Sequence, residues 1–402
     1  MTTQVQLVLG LGFGDEGKGT IVDWLARRAS SPPLVIRWNG GPQAAHHVVT
    51  EAGAVHCFAQ LGAASFVPGA RTHLAADMAV DLPALWTELA AFARAAGFDA
   101  PPPTIDPRCA LVTPWHVALG LVREAMRGAA RHGSTGRGVG EAKLGPIRVF
   151  AGDLGFGAAA RLRDARDALL ARIDAAIAGG PDLARELAAR AADPQLFDAF
   201  VDAATRPLAI RDAAPRADHV IFESAQGALL DREHGFFPHV TPSRITRRAA
   251  RDAARALGLG GAPLETWGVL RAYHTRHGEG PFPTEDRALG DRLREPHNRD
   301  DGPAGRFRVG WFDAVLARHA VAFAGPIDRL AITCLDRVAA LPDRAVVDRY
   351  RDATDDLDVA VVAAEPVARP VDDMAAAIAE LLGRRIDVAS YGPRAADKRA
   401  PT

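Results

Sequence analysis

The feature that most restricts the fold of this chain is a glycine-rich segment, GLGFGDEGKG (10–19), which follows an apolar run and opens an amphipathic stretch. The apolar run Gln4–Leu9 predicts a short buried strand, and the stretch GTIVDWLARRA, from Gly19, has apolar residues at helical spacing. A second apolar run, Pro33–Trp38, predicts another buried strand, and a second glycine turn, NGGPQAAHH, follows it. This order of strand, loop, helix and strand is typical of an α/β fold.

The rest of the sequence continues to alternate between predicted helices and strands. Three alanine- and arginine-rich segments are predicted helices: Pro83–Ala96, Ala158–Ala178 and Asp182–Ala192. Three apolar runs that end in polar residues are predicted strands, the first two central and the third the last of the chain: His219–Gly227, Arg329–Asp336 and Arg385–Pro393. The polar segment 294–306 is interpreted as a loop and not as a linker, so the sequence predicts one α/β domain over residues 1–402.

Composition and charge exclude several classes of function. The 402 residues are 48% hydrophobic and 24% charged, and the formal net charge is −1 at pH 7, so no overall attraction to nucleic acid or to an anionic membrane is expected. The three cysteines, Cys57, Cys109 and Cys334, are too widely spaced for a zinc motif and are consistent with a reduced, cytoplasmic protein. The first apolar run lacks a preceding basic region and is too short to span a membrane, so we expect neither a signal peptide nor a transmembrane segment.

Two known glycine motifs fit the first loop only in part. GFGDEG (12–17) matches the G-x-G-x-x-G fingerprint of dinucleotide-binding folds, but the second strand ends in Arg37 and Trp38 and not in the acidic residue that would bind a ribose. GFGDEGKG nearly matches the P-loop pattern, but Gly19 stands where a hydroxyl residue would hold magnesium. An ordinary dehydrogenase and an ordinary P-loop NTPase are therefore both disfavoured.

The charged residues of this loop indicate a phosphate site with its own acid–base group. A plain strand-to-helix turn would explain the glycines but not Asp15, Glu16 and Lys18, because charged side chains in a tight turn lose hydration unless they have partners. Glycines allow backbone N–H groups to approach a phosphate, and the start of the following helix adds partial positive charge. Lys18 would add a full positive charge, and Asp15 would lie where a carboxylate can hold Mg²⁺ or accept a proton from a substrate.

Motifs along nearly the whole chain resemble those of the adenylosuccinate synthetase family. In chain order, from Gly14 to Pro393, they are GDEGKG, NGGPQAAHH, GSTGRGVG, FESAQGALLD, HGFFPHVTPS, GVLRAYHTRHGEGPFPTE, GWFDAV, TCLD and SYGP. The resemblance implies a single large α/β domain around a mostly parallel central sheet, with a P-loop-like glycine loop, that acts as a homodimer. It also implies a reaction that uses GTP and Mg²⁺ to join aspartate to IMP, giving adenylosuccinate, GDP and phosphate.

The resemblance implies catalytic roles for four residues. The 6-oxo group of a purine lactam leaves poorly until it is phosphorylated, so a base must remove the N1 proton and an acid must assist phosphoryl transfer. By resemblance, Asp15 is the base and a metal ligand, and His46 is the acid. The resemblance also implies that the Ala45 carbonyl binds Mg²⁺ and that Lys18 stabilises charge on the transferred phosphoryl group.

The resemblance implies two nucleotide sites built from small polar residues beside glycines or at strand ends. The positions implied for an IMP-like acceptor are Thr135, Gln226, Thr241 and Gln43. The positions implied for GTP are Gly14, Glu16, Gly17, Gly19, Asp336, Ser390, Gly392 and Pro393. The Asp336 carboxylate can accept two hydrogen bonds from guanine, whereas adenine lacks this donor pair. Cys334 stands where the family has a lysine that would stack on the base, so the expected preference for GTP is weakened.

The segment that would bind the amino acid departs most from the family pattern. It reads DDGPAGRFRVGW and lacks two threonines of the family, while Arg306 and Arg308 remain as candidates to bind carboxylates. Asp300 and Asp301 would repel a dianionic amino acid unless their side chains point to solvent. The identity of the amine is therefore left open.

These departures leave more than one function open. The family's arginine that reaches across the dimer interface has no clear equivalent, and Lys143 and Arg148 remain alternative candidates. The chain is either an adenylosuccinate synthetase of ordinary specificity or a diverged paralog that uses another purine or lactam, or another amine, in a specialised pathway. A catalytically inactive nucleotide-binding regulator is disfavoured, because Asp15, Lys18 and His46 are all present.

Overall fold

A parallel β-sheet organises the chain, of which this computed structural model describes residues 3–295, 305–351, 361–362 and 365–400. The strands are β1 (Gln4–Gly10), β2 (Leu34–Arg37), β3 (His46–Val49), β4 (Val55–Phe58), β5 (Arg71–Leu74), β6 (Ala79–Val80), β7 (Thr104–Ile105), β8 (Ala110–Leu111), β9 (Ala209–Ile210), β10 (His219–Gly227), β11 (Leu264–Arg271), β12 (His274–His277), β13 (Phe307–Gly310), β14 (Phe312–Asp313), β15 (Arg329–Thr333), β16 (Ala345–Arg351), β17 (Glu365–Pro370), β18 (Val388–Ser390) and β19 (Lys398–Arg399). The α-helices are α1 (Lys18–Arg27), α2 (Leu82–Ala96), α3 (Pro114–Arg127), α4 (Val139–Leu144), α5 (Ala158–Ala176), α6 (Asp182–Ala191), α7 (Pro194–Thr205), α8 (Arg247–Ala256), α9 (Arg287–Arg292), α10 (Ala314–Ala324), α11 (Leu335–Ala339) and α12 (Met374–Leu382). No helix within these ranges has the length and apolar character needed to cross a membrane.

The central sheet has the mostly parallel arrangement that the sequence predicts. Within the described residues, ten strands form it in the order β19-β18-β15-β11-β1-β10-β2-β5-β7-β9. Neighbouring strands are parallel throughout, except that β19 runs antiparallel to β18 at one edge. The predicted class, a large α/β domain around a mostly parallel sheet, is confirmed. The extension of one domain over all of residues 1–402 stays a prediction.

Strand β1 shows how both faces of this sheet are buried. Val5, Leu7 and Leu9 belong to an apolar cluster that includes alanines of α8, whereas Val8 belongs to another cluster with Ile21 of α1. Successive side chains of a strand point to opposite faces, so β1 is covered by a helix on each side. Nearly continuous apolar strands are typical of parallel sheets with helices on both faces.

The parallel strands place the predicted motifs at one edge of the sheet. The loops that follow β1, β10, β11, β15 and β18 all leave from the carboxyl ends of neighbouring parallel strands. In open α/β sheets, ligands bind outside these carboxyl ends. The glycine loop and the FESAQG, TCLD and SYGP motifs therefore share the edge where a ligand is expected.

Three of the predicted strands are shorter than expected, and the first of them, β2, lacks one predicted residue at each end. Strand β15 ends at Thr333 and not at Asp336, because Cys334 adopts a left-handed backbone conformation (φ 58°) and α11 begins immediately after it. Strand β18 covers only a part of the predicted strand 385–393. It is also not the last strand, because the chain turns back to form β19. The three predicted helices are present, with ends within two residues of the expected ones.

Three buried histidines are expected to make the fold sensitive to acid. His56, His73 and His274 are 8%, 0% and 3% exposed, and burial lowers the pKa of each to about 4. In the unfolded chain a histidine titrates near its ordinary pKa of about 6.5. Between these values the unfolded state binds more protons than the folded state. The free energy of unfolding therefore has its full value above about pH 6.5 and decreases as the pH falls towards 4.

His274 offers a direct test of this acid sensitivity. In the described part of the chain neither of its ring nitrogens has a hydrogen-bond partner, and its ring packs 5.2 Å from that of Phe312. Through His274, the wild-type protein should lose about 2 kcal/mol of unfolding free energy between pH 7 and pH 5, because pH 5 lies about 1.5 units below the ordinary pKa of histidine. The variant His274→Leu should lack this part of the loss. Denaturant titrations at both pH values measure it, with the exposed His132→Leu as a control. An unchanged pH dependence in His274→Leu would contradict the expectation.

Candidate active site

The glycine loop between β1 and α1 is held in shape by two of its own charged side chains. The Glu16 carboxylate accepts hydrogen bonds from Gly12 N (2.9 Å) and Gly14 N (2.7 Å). Lys18 Nζ lies 2.7 Å from both Glu16 Oε2 and the Gly14 carbonyl oxygen. Glu16 and Lys18 are 3% and 2% exposed, so the ion pair is shielded from solvent. In this arrangement the Lys18 charge is directed at Glu16, and Glu16 could contact a nucleotide only through its backbone.

Asp15 lies on the outer side of the same loop, beside His277. Its Oδ2 atom is 3.2 Å from His277 Nε2, and the two side chains are 28% and 36% exposed. Burial acts to raise the pKa of Asp15, but the hydrogen bond to His277 and the positive charges of His277, Arg271 and Lys18 together hold this pKa below its ordinary value. Asp15 is therefore an ionised carboxylate that a ligand can reach.

The end of strand β11 supports Asp15 from the side of the sheet. Arg271 Nη1 donates a hydrogen bond to the Asp15 carbonyl oxygen at 3.1 Å. The same guanidinium contacts the Tyr273 hydroxyl at 2.5 Å and the Glu295 carboxylate. Because Arg271 is 6% exposed and held by three partners, it fixes the backbone that carries Asp15.

His46 begins strand β3 and is buried against a carboxylate of the central sheet. Its Nδ1 atom forms a hydrogen bond with Glu223 Oε1, and Glu223 Oε2 accepts a hydrogen bond from Ala63 N at 2.9 Å. Arg37 pairs with Glu223 in the parallel register of β2 and β10, and both residues are fully buried. Burial acts to raise the pKa of Glu223, but the charge of Arg37 and the hydrogen bonds from His46 and Ala63 hold it below its ordinary value.

The same surroundings keep the His46 ring neutral. Burial is the main cause that lowers the pKa of His46, and the neighbouring Glu223 only partly opposes it. The Nδ1–H group of a neutral ring then points to the charged Glu223, which leaves Nε2 on the other side of the ring. A carboxylate partner of this kind fixes both the tautomer and the orientation of an imidazole.

The second glycine turn places His46 against the first turn of α1. A Cβ atom at Gly19 would lie 2.7 Å from the His46 Cβ atom, so only glycine allows this approach. Ala45, exposed in the turn, directly precedes His46. The positive charge of Lys18 lowers the pKa of both Asp15 and His46. The candidate base and acid therefore lie within the electrostatic range of one ammonium group.

One cavity brings together the residues predicted to bind an IMP-like acceptor. Its volume is about 310 Å³, and its lining includes Gln43, Thr135, Gln226 and Thr241. Gln43 Oε1 and Gln226 Nε2 are buried there and, among the described residues, have no hydrogen-bond partner. Buried polar atoms without partners are uncommon in folded proteins, so these amides are well placed to bind a polar ligand. His277 also lines this cavity, which puts Asp15 at its margin.

The residues predicted to bind GTP lie along the carboxyl edge of β1, β15 and β18. Asp336 is half-buried in the first turn of α11. Thr333 Oγ1 donates a hydrogen bond to the Glu16 carbonyl oxygen at 2.8 Å, which joins the end of β15 to the glycine loop and its Gly14, Gly17 and Gly19. Ser390 Oγ donates to the Gly392 carbonyl oxygen at 3.0 Å, and Pro393 follows in the same turn. The sheet brings these residues to one edge, while nucleotide binding by them stays a prediction.

The two arginines predicted to bind the amino acid share an internal carboxylate. Arg306 Nη2 contacts Glu285 Oε1, and Arg308 Nη1 lies 3.1 Å from Glu285 Oε2. All three side chains line a cavity of about 550 Å³. An incoming carboxylate would therefore compete with Glu285 for these guanidinium groups. Asp300 and Asp301, expected to repel such a carboxylate, lie outside the described residues.

Two candidates, Lys143 and Arg148, for the arginine that the family resemblance implies at a dimer interface make contacts within the chain. Lys143 Nζ donates a hydrogen bond to the Asp77 carbonyl oxygen at 2.7 Å. The Arg148 guanidinium lies 5.4 Å from the centre of the Phe150 ring. These contacts do not distinguish the two residues, and the choice between them stays open.

Four residues that surround the candidate base, acid and arginines are not among the site residues that the sequence indicates. Arg37 and Glu223 each interrupt an apolar run in the sequence. Because a buried charge needs a partner, such an interruption could have indicated that the two residues lie close to opposite charges. His277 and Glu285 gave no comparable signal, because their contacts depend on the pairing of β12 with the distant β13.

Comparisons with known proteins identify the fold and the family of this chain. The adenylosuccinate synthetase from Plasmodium falciparum, in a fully ligated structure, is similar in fold, with a TM-score of 0.79 and 20% sequence identity over 99% of this chain and 100% of that one. The succinoaminodeoxyadenylate synthetase from cyanophage S-2L, bound to dGMP and to dATP as an energy donor, has a TM-score of 0.61 and 17% identity over 100% of this chain and 97% of that one. At these identities both show the fold alone. The family model for adenylosuccinate synthetase matches residues 7–371, nearly the whole chain, and the protein therefore belongs to the adenylosuccinate synthetase family of ligases.

Proposed function

We propose that this protein is a GTP- and Mg²⁺-dependent ligase that phosphorylates the 6-oxo group of IMP and displaces the phosphate with the amine of aspartate, giving adenylosuccinate. The observation that carries the proposal is the position of Asp15. It is an ionised, accessible carboxylate on the glycine loop, and its partner His277 lines the cavity that contains the predicted acceptor residues. A base at this point would face both a phosphate group and a purine.

The proton transfers follow from the states of the two candidate groups. Asp15 would accept the N1 proton of the purine, so that O6 becomes nucleophilic towards the γ-phosphate of GTP. The negative charge of the triphosphate would raise the pKa of His46, opposite to the effect of burial. His46 would then hold a proton at Nε2 for the GDP that leaves when the γ-phosphate is transferred to O6, while its Nδ1–H stays on Glu223.

The groups around Asp15 fit a Mg²⁺ ion that is bound partly by substrate phosphates, and not a metal ion held by protein side chains alone. Within the described residues, no group of three or more His, Cys, Asp or Glu side chains could hold a metal ion. Mg²⁺ is commonly bound by one or two carboxylates together with substrate phosphates and water. Asp15 and the carbonyl of Ala45 would hold it, and the ion would neutralise negative charge on the phosphates.

GTP is the proposed energy donor because Asp336 lies at the same sheet edge as the glycine loop. A carboxylate there can accept hydrogen bonds from guanine that adenine cannot donate. Asp336 is only half-buried, and Cys334 stands where a lysine would stack on the base. Both observations favour a moderate preference for GTP over ATP. The enzyme is further proposed to act as a homodimer in the reducing cytoplasm, where its three free cysteines remain thiols.

A second candidate function is the same chemistry with a different amine. The observation that favours it is the contact of Arg306 and Arg308 with Glu285. A resident carboxylate already pairs with the two arginines on which the dianionic aspartate would depend, and it adds negative charge to the same place. An amine with fewer carboxylates would meet less competition there.

The proposed function predicts phosphate release that depends on all substrates. With Mg²⁺ and GTP, phosphate should appear only when both IMP and aspartate are present, because the amine has to displace the phosphorylated oxygen. Replacing GTP with ATP should lower kcat/KM by about 10-fold, the effect of one or two hydrogen bonds. A coupled phosphate assay measures both effects.

The controls of this assay also separate the two candidate functions. Reactions without the amine or without the nucleotide acceptor give the background hydrolysis. Phosphate release with GMP, or with an amine other than aspartate, and none with IMP and aspartate, would favour the diverged paralog. Equal use of ATP and GTP would contradict the role proposed for Asp336.

A further inference from the structure

Lys398 is a buried lysine at the edge of the central sheet that the proposed reaction does not use. It begins β19, pairs with Ser390 of β18 and is 8% exposed. Its Nζ atom donates hydrogen bonds to the carbonyl oxygens of Gly392 (3.1 Å), Pro393 (3.1 Å) and Arg394 (2.8 Å). The three N–H donors of the ammonium group thus match three consecutive carbonyl groups.

No carboxylate in the described segments forms an ion pair with this ammonium group. Asp397, Asp23 and Glu51, together with the Cys334 thiol, face it from four different elements and act on it only through their electrostatic fields. Burial is the main cause that lowers the pKa of Lys398, to about 8, and these groups partly oppose it. Burying a charge is costly unless hydrogen bonds compensate it, so the segment 390–394 depends on Lys398 for its shape.

The segment that Lys398 holds is the one predicted to contact the guanine base. The same turn is closed by Asp397, whose carboxylate accepts a hydrogen bond from Arg394 N at 2.8 Å. Ala396 N donates to Glu51 Oε1 at 2.9 Å. Glu51 lies in the turn of the β3–β4 hairpin, which starts at His46. The base-binding segment is therefore docked on the hairpin that carries the candidate acid.

We propose that Lys398 is a positioning residue for the energy-donating purine nucleotide: its ammonium group draws three backbone carbonyls away from the base and holds segment 390–394 in the shape that binds it. The inference rests on the proposed function, because it concerns the same nucleotide. Lys398 itself touches no substrate. Loss of its charge should therefore weaken nucleotide binding more than it slows the chemical step.

The test compares Lys398→Met with a matched control. Methionine keeps the length of the side chain but removes the three donors, so the dissociation constant for GTP, measured by isothermal titration calorimetry, should rise by about 10-fold or more. The kcat at saturating GTP should stay within about threefold of the wild type. The control is Arg190→Met, which removes an exposed charge from α6, a helix that packs against α3 and α5, and should leave GTP affinity within about twofold.

A pH series on the wild-type protein tests the same inference without relying on a variant. Because the ammonium loses a proton as the pH rises through about 8, GTP affinity should fall by several-fold between pH 7 and pH 8.8. Lys398→Met should show no such fall. This dependence also separates positioning from a purely structural role, which would change the melting temperature but not the pH profile of binding.

The outcomes distinguish this inference from the proposed function. Equal GTP affinity in Lys398→Met and the wild type overturns the positioning role while leaving the ligase function intact. If Lys398→Met does not fold, Lys398→Gln, which also removes the charge, is compared with the wild type in its place, and equal affinity overturns the role. Failure of the wild-type protein to bind either GTP or ATP overturns the proposed function and this inference with it.

Discussion

Replacing Asp15 with asparagine is expected to lower kcat by about 1,000-fold or more, because the side chain would no longer accept the N1 proton of the purine. GTP should still bind, since the glycine loop is held by Glu16 and Lys18 and not by Asp15. Asparagine has the same shape, and its side-chain carbonyl can still accept a hydrogen bond from His277. The loss would therefore report on the charge and the proton, and not on a collapsed loop.

The measurement has to separate chemistry from metal binding, because Asp15 is also the proposed Mg²⁺ ligand. Phosphate release under saturating substrates gives kcat, and GTP titrations in the presence of a chelator give affinity without the metal. His277→Gln is the matched variant: it keeps a hydrogen-bond donor beside Asp15 and should retain activity within about 10-fold. A near-normal rate in Asp15→Asn would show that another group is the base.

The second large effect is expected at the pair of His46 and Glu223. His46→Asn should lower kcat by about 100- to 1,000-fold, as the loss of a general acid does. Glu223→Gln should cause a loss of similar size, because the buried carboxylate is what allows the ring to gain a proton when the triphosphate arrives. The double variant should be little worse than either single variant, because residues that act as a unit are not additive.

Stability has to be measured alongside, because Glu223 also faces the buried Arg37. Removing one partner of a buried charge pair destabilises a protein by about 3–5 kcal/mol, so thermal melts must show that Glu223→Gln is folded at the assay temperature. Glu88→Gln is a suitable control for the loss of a buried carboxylate that has no contact with His46. Glu88 is another buried glutamate, and it accepts hydrogen bonds from three backbone N–H groups without contacting His46. Normal kcat in a folded Glu223→Gln, together with a large loss in His46→Asn, would exclude the role of Glu223.

The general fold could be predicted because its signals are local. The apolar runs that became β1, β2 and β10 and the glycine loop before α1 need only neighbouring residues to be recognised. Parallel pairing then placed the predicted motifs at one edge, as it does in other open α/β sheets. The motifs occur in the same order as in the adenylosuccinate synthetase family, and the family match over residues 7–371 agrees with this resemblance.

The partners of the charged groups could not be predicted in the same way. Lys18 is predicted to stabilise a transferred phosphoryl group, and nothing in the sequence indicates that its ammonium pairs with Glu16. Arg306 and Arg308 are predicted to bind an amino acid, and nothing in the sequence indicates that both contact Glu285. The ligand-binding roles themselves stay predictions. Each of these contacts depends on how a turn or a strand pair orients a long, flexible side chain in three dimensions. Residue type and spacing alone do not specify this orientation.

The enclosure of the Glu16–Lys18 pair has a consequence for work at different ionic strengths. Mobile ions screen charges that are in contact with solvent, over a distance of about 8 Å at 0.15 M salt, but they do not enter a packed interior. Added salt should thus weaken the attraction of the protein for a highly charged triphosphate while the loop that receives it keeps its geometry. Potassium chloride would therefore change the association rate and the affinity of the nucleotide, but not the conformation of the loop that binds it.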